Sequence, residues 1–269
     1  CNFLFIFHIN INADSFQFNN YNNHGIVGLI NMPTARFYDE SAHGITIYDG
    51  TPDQKITLTS NPYSWLEASF FYTNIQGKPY CLNFSVEFCT QDYKDKGFNL
   101  KLKVKEQGNF PAIAVGLMDF AGTGFYGSEY IVTSYAINNI DIHYGIGWGA
   151  LTGQDDSITN PLGYINDNFK TRPVNTKSRG GSFQPSRYFS GETASIFHGA
   201  SYVLNEKILV KVEKDNTRTN GRMPYDIPNS DYSLGIEYSI NNNLVVGFSY
   251  ERGNFASLKF VYKNNPKST

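Results

Sequence analysis

The sequence predicts an all-β chain, an antiparallel transmembrane β-barrel of about 12 strands, whole or partial. The first observation is the stretch Asn139 to Leu151. Ile140, Ile142, Tyr144, Ile146, Trp148 and Ala150 alternate there with Asp141, His143, Gly145, Gly147 and Gly149. A strand turns successive side chains to opposite faces, so one face is apolar and the other polar or empty. The second is length. An alternating run of about 11 residues crosses a hydrocarbon core when tilted, whereas strands of soluble proteins usually stop at about 5–6. The third is that glycines gather on the polar faces (Gly145, Gly147, Gly149, Gly235, Gly247). Glycine there suits a wall that curves or packs against a plug.

In chain order, residues 1–13 read as a signal-peptide remnant, with the apolar core Phe3-Leu4-Phe5-Ile6-Phe7 and a small residue, Ala13, at the cleavage point. The rival reading makes Cys1 a lipid-anchored residue. Either address lies beyond the inner membrane. The barrel domain is expected over 14–262, and 263–269 is a polar tail. Ser15 to Asn23 reads as an arm. Gly25 to Arg36 contains Pro33, which cannot donate to a ladder, so this segment belongs at an edge, a rim or inside the pore.

Short strands follow at His43–Tyr48 and Lys55–Thr59, then longer ones at Trp65–Thr73, Leu82–Phe88 and Phe98–Lys105. Ala112–Met118, Tyr126–Ile137 and Asn139–Leu151 continue the series. Alternation stops between Thr152 and Gly191, a Gly-, Pro-, Asn- and Ser-rich loop too long to be idle. Strands resume at Thr193–Leu204 and Ile208–Lys214. The last three carry Leu234, Ile236, Tyr238 and Ile240, then Leu244, Val246, Phe248 and Tyr250, then Ala256, Leu258, Phe260 and Tyr262. Asn241-Asn242-Asn243 and Gly253-Asn254 supply turn chemistry between them.

Composition narrows the function. The chain has 269 residues, a formal net charge of -2, 19 Tyr and 21 Phe but only 2 Trp. The near-neutral balance argues against a nucleic-acid partner, which calls for a basic domain. The aromatics suit strands and the girdles of membrane barrels. Cys81 and Cys89, if both lie on one extended strand, stand roughly 26 Å apart, far beyond disulfide reach, so free thiols are expected.

Chemical motifs are sparse. Gly122-Thr123-Gly124-Phe125-Tyr126-Gly127 matches G-x-G-x-x-G, but a Tyr- and Val-rich strand follows where a phosphate-binding helix is required, so it reads as a turn. His24, His43, His143 and His198 show no metal-ligand spacing, and no metal or other cofactor is expected. A glycosidase would need two carboxylates facing one sugar. Asp92, Asp95, Asp119, Glu129, Asp141, Glu237 and Glu251 show no such pairing in sequence, and no enzyme activity is expected.

Lys101, Lys103 and Lys105 share one strand face opposite Leu100, Leu102 and Val104. Lysines facing lipid at the midplane cost about 2–4 kcal/mol each, which aims all three at the lumen. There they either form a field that attracts an acidic polysaccharide or pair with lumenal acids such as Glu237 and Glu251. Arg172, Lys177, Arg179 and Arg187 in the long loop extend that field to the mouth, or form a solvated surface segment.

Several spaced motifs are similar to the YjbH family. They are Gly28-Leu29-Ile30-Asn31-Met32-Pro33-Thr34-Ala35-Arg36, Trp65-Leu66-Glu67-Ala68-Ser69-Phe70, Tyr93 to Lys101, and Pro111 to Phe120. Gly122-Thr123-Gly124, Ser128-Glu129-Tyr130, Gly145-Ile146-Gly147-Trp148-Gly149 and Asn160-Pro161-Leu162-Gly163 follow in the family's order. The resemblance implies an outer-membrane barrel, in many members a lipoprotein, tied to exopolysaccharide or capsule production. It brings no catalytic residues. The expected surroundings are the lipid of a Gram-negative outer membrane, acidic polysaccharide and other exopolysaccharide-secretion proteins. A general porin and a soluble periplasmic β-sandwich are the alternatives.

Overall fold

The computed structural model describes residues 19–80, 91–153, 157–174, 183–218 and 228–267. Its strands are β1 (His43–Asp49), β2 (Asp53–Tyr63), β3 (Leu66–Pro79), β4 (Asp92–Lys105), β5 (Ala112–Met118), β6 (Ser128–Ile137) and β7 (Ile140–Gly149). Then come β8 (Ile158–Thr159), β9 (Thr193–Asn205), β10 (Ile208–Lys214), β11 (Tyr232–Ser239), β12 (Leu244–Glu251) and β13 (Phe255–Asn264). Apart from the two-residue β8, each strand pairs antiparallel with the next. The circle closes where β13 meets β1, with Ile45 opposite Tyr262. The other join across the long loop sets β7 beside β9, with Tyr144 opposite His198. The result is a closed barrel of twelve strands, and the expected whole-or-partial alternative resolves to whole.

Alternation decides which face is which. Ile142 is 52% exposed and Leu234 59%, while the side chains between them are buried. Outward positions on successive strands are Ile45 and Ile47, Ile56 and Leu58, Phe70 and Tyr72, Ile236 and Tyr238, and Leu258 and Phe260. A soluble sandwich would bury these residues, so the apolar face points to lipid and the barrel is of the membrane-spanning type. Exposed aromatics edge the belt at both ends. Tyr63, Trp65, Tyr202, Tyr238 and Tyr262 lie toward one rim and Tyr72, Tyr232 and Tyr250 toward the other. The Tyr63 and Trp65 rings stack at 5.4 Å.

The two rims differ. One has the short connections between β2 and β3, β6 and β7, β9 and β10, and β11 and β12, and β1 begins there. The other carries the connections 80–91, 119–127, 150–192 and 215–231. Observed bounds extend the expected strands by several residues in β2, β3 and β4, and the expected Leu82–Phe88 strand lies outside the described residues. So do the signal remnant, Cys81 and Cys89.

Candidate functional site: a filled lumen and a covered wall

Twelve strands enclose a lumen wider than wall side chains fill by themselves, given that about eight strands is the size at which they just do. The chain supplies the filling. Residues 19–42 form almost no regular structure, only the bridges Tyr21–Val27 and Gly28–Pro33, and they occupy the barrel interior. Tyr21, Ile26, Val27, Leu29 and Met32 are at most 1% exposed. The segment enters and leaves at the short-turn rim. Its tip, around His24, reaches Lys55 at 2.9 Å, near the opposite rim. Of the three expected places for Gly25 to Arg36, the interior is the one adopted. Of the expected arm Ser15 to Asn23, Asn19 to Asn23 belong to the plug, and Ser15 to Phe18 lie outside the described residues.

An irregular backbone buried away from water must still satisfy its N–H and C=O groups. Here the wall does so with charged side chains. Glu213 accepts from three successive plug N–H groups, Ile30 at 2.9 Å, Asn31 at 2.8 Å and Met32 at 3.1 Å. Lys211 donates to the Gly28 and Leu29 carbonyls at 2.9 and 3.0 Å and to Glu237 at 2.8 Å. Lys259 donates to the Tyr21 carbonyl at 2.7 Å and to the same Glu237 oxygen at 2.8 Å. Glu67 accepts from the Val27 N–H at 3.0 Å. Plug side chains return the contacts. Arg36 grips both oxygens of Asp141 at 2.7 Å, and Asn31 reaches Asp215 and Glu251 at 3.0 and 2.8 Å.

Over β5, β6 and β9 the lumen wall carries an apolar patch. Ile26, Leu29, Met32, Ala35 and Phe37 pack on Ala112, Ala114 and Met118 of β5, Tyr130 and Val132 of β6, and Phe197 of β9. Close approach explains two glycines. A Cβ at Gly235 would sit 3.0 Å from the Ile30 side chain, and one at Gly199 would sit 2.5 Å from Leu29.

Of the lysine row, only Lys101 reaches this interior fully. Its ammonium is 3.0 Å from Glu67 and donates to the Val27 and Arg36 carbonyls at 3.0 and 2.8 Å. It is paired, with Glu67 rather than with Glu237 or Glu251. Lys103 sits beside Phe37, 5.2 Å from the ring, and pairs with Glu106 at 2.7 Å. A register irregularity between Lys103 and Lys105 interrupts the row, and Lys105 is exposed over the Phe110 ring.

The long loop takes a different course from the expected one. Trp148 has the outward parity of Ile142 and Tyr144, so parity alone would set it against lipid, but it is 1% exposed. Residues 157–174 and 183–192 fold back over the outer wall and cover it. The Trp148 indole donates to Asn160 at 2.8 Å and meets Phe189 edge-on at 5.2 Å. Glu129, in register with Trp148, is covered by Arg172, which grips its two oxygens at 2.7 and 2.9 Å. Arg187 donates to the Pro173 carbonyl at 2.8 Å. Arg172 and Arg187 are therefore brought together, on the wall's outer side. Lys177 and Arg179 lie outside the described residues. At this rim Asp119, just past β5, has its carboxyl pushed up to about 8, by burial first and by the neighbouring Asp95 second.

Sequence reasoning missed Glu67, Lys211, Glu213 and Lys259. Their inward parity was legible, but their partners lie on a segment without periodicity. His143 and Asp141 were singled out in the sequence, but Ser134, which joins them, was not. Ser134 Oγ is 2.8 Å from His143 Nδ1, and His143 Nε2 is 3.7 Å from Asp141. This resembles a hydrolytic constellation, but the plug occupies it. The Ala35 N–H donates to Ser134 Oγ at 2.9 Å, and Arg36 holds Asp141. The other carboxylates gather in small groups: Asp95 and Asp119 are neighbours at the long-loop rim, and Asp215 and Glu251 share the Asn31 amide.

The fold and filling together define a plugged transmembrane β-barrel. Residues 20–269 match the model of the family described as exopolysaccharide biosynthesis protein, and the chain belongs to that YjbH family. It is 33% identical over 235 residues to the uncharacterized lipoprotein YjbH of Escherichia coli K12, covering 86% of this chain and 33% of that protein. The chain thus spans about one third of that relative's length. Among solved structures it is similar to the COG4313 outer membrane channel of Pseudomonas putida F1, with 8% identity, coverage of 85% and 97% of the two chains, and a TM-score of 0.41. The NanC porin matches with 8% identity, coverage of 83% and 97%, and a TM-score of 0.38.

Proposed function

We propose that the chain is a non-enzymatic outer-membrane component of exopolysaccharide or capsule production in a Gram-negative bacterium, acting as a barrel whose lumen is closed by its own plug. The long-loop rim faces outward and the short-turn rim faces the periplasm, following the usual asymmetry of such barrels. The observation that carries the reading is the lumen itself, filled by residues 19–42 in a member of a family described by exopolysaccharide biosynthesis. A general porin needs a standing aqueous channel, and here the position of the channel is taken by Ile26, Leu29 and Met32. Polysaccharide passage would require the plug to shift, which would free Lys101, Lys211 and Lys259 toward an acidic polymer, with other secretion proteins as partners.

Gene deletion with two readouts tests this. The expected result is loss of matrix or capsule with unchanged small-solute uptake, and the reverse pattern supports a porin. Fractionation tests the location. Recovery as a detergent-free periplasmic monomer contradicts it.

A further inference from the structure

The long-loop rim carries an outward basic surface that neither the plug nor the polysaccharide reading uses. Strand parity places Lys94 and Lys96 on the same face of β4 as Phe98, Leu100, Leu102 and Val104. Both lysines are exposed. Across the β3–β4 pair, Lys96 stands opposite Tyr72 and Lys94 opposite Asn74, while Phe98 stands opposite Phe70. The change from apolar to basic therefore occurs within one residue pair, where the aromatic edge of the belt ends.

Height decides what these lysines meet. Two residues along a strand rise about 6.8 Å, so Lys96 and Lys94 lie roughly 7 and 14 Å beyond Phe98 along β4. A tilt of about 40° reduces this to roughly 5 and 10 Å along the membrane normal. The headgroup layer on each side of the hydrocarbon core is about 5–7 Å thick. Lys96 thus falls within the headgroup layer, and Lys94 a few ångströms beyond it, within the reach of a lysine side chain.

The covered wall continues the surface. Arg172 neutralises the outward Glu129, which would otherwise repel an anion there. Arg187 lies beside it, and a small recess opens between Phe120, Arg172, Arg187 and Tyr188. Asp119 lines the same recess, and a carboxyl held at about 8 is largely uncharged at neutral pH.

We propose that this rim, from Lys94 and Lys96 on β4 to Arg187 above β6, docks the phosphate groups of an anionic lipid in the leaflet the long loops face. The occupant is a phosphorylated saccharolipid, whose phosphates match paired ammonium and guanidinium donors. Charge at the membrane surface supplies the attraction. The ledge needs the membrane placement proposed above but is independent of any role in polysaccharide production.

The test inserts the full chain into nanodiscs of phosphatidylcholine alone or mixed with lipopolysaccharide, and native mass spectrometry reads the lipid retained. The wild type should retain lipopolysaccharide in preference to phosphatidylcholine, lose that preference for the dephosphorylated lipid, and keep it in excess inorganic phosphate. Lys94→Gln with Lys96→Gln should weaken retention about fivefold per lysine. Lys105→Gln with Lys207→Gln, at the other rim, should not. Equal retention by the Lys94/Lys96 variant, equal loss in the control pair, or displacement by free phosphate overturns the ledge. A chain that inserts with no lipid preference overturns the ledge alone, and one that inserts into neither nanodisc overturns the membrane placement as well.

Discussion

Two irregular segments lie against the same wall, one from inside and one from outside, and they are held by opposite means. Residues 19–42 bring backbone to the wall, and the wall answers with charged side chains such as Glu213, Lys211 and Lys259. Residues 157–174 and 183–192 instead bring side chains, Asn160, Arg172 and Phe189, to fixed points on the outer face at Trp148 and Glu129. The inner segment is sealed from water, so each of its polar groups needs a protein partner. The outer one keeps much of its surface in contact with solvent and needs only a few anchors. Inside the barrel, then, losing one wall charge strands several groups at once. Outside, losing one anchor frees a loop.

The largest expected effect follows from Glu213, whose carboxylate serves three plug N–H groups. Glu213→Ala leaves those three donors buried without acceptors, at a cost of about 1–3 kcal/mol each. Denaturation of the folded barrel in detergent should show it, together with new protease cleavage within 19–42. A loss below about 1 kcal/mol would mean that the plug is not held through its backbone.

Asn160 comes next. Its amide accepts from the Trp148 indole and the Leu162 N–H, and donates to the Phe169, Phe189 and Gly191 carbonyls. Asn160→Ala should cost about 1–3 kcal/mol and open residues 157–192 to protease while 19–42 stay protected. Joint exposure of both segments would show that the two are coupled and break the comparison.

Asp119 sharpens it through pH. Its carboxyl keeps its proton in the fold up to about 8, whereas the unfolded chain releases it near the ordinary value of 3.8. The folded state therefore binds more protons across that window. Its contribution to stability is complete below the ordinary value and is lost as pH rises through about 8. Thermal stability should fall from pH 6 to pH 9, and Asp119→Asn should flatten that fall. The smallest effect is expected at Lys105, exposed over Phe110, where Lys105→Gln should change stability by less than about 0.5 kcal/mol.

Much of the wall was legible because a period of two is a local signal. β5 and β10 fall on their expected bounds, and the last three strands carry the expected outward residues. The plug was legible only as an exclusion. Pro33 said where Gly25 to Arg36 could not sit, while Glu213 and Ile30 are 183 residues apart, a contact that no local pattern records. Trp148 failed for a related reason. Parity fixes which way a side chain points, not what later folds over it. The lysine row failed at a register shift between Lys103 and Lys105, which spacing alone does not announce.

The central claim is that the plug closes the lumen, and single-barrel conductance in planar bilayers tests it most directly. The wild-type full chain should insert without a steady porin-like current, whereas Glu213→Gln with Lys101→Gln should show opening events as the plug loses its hold. A large steady current through the wild type, unchanged in that variant, would contradict the account.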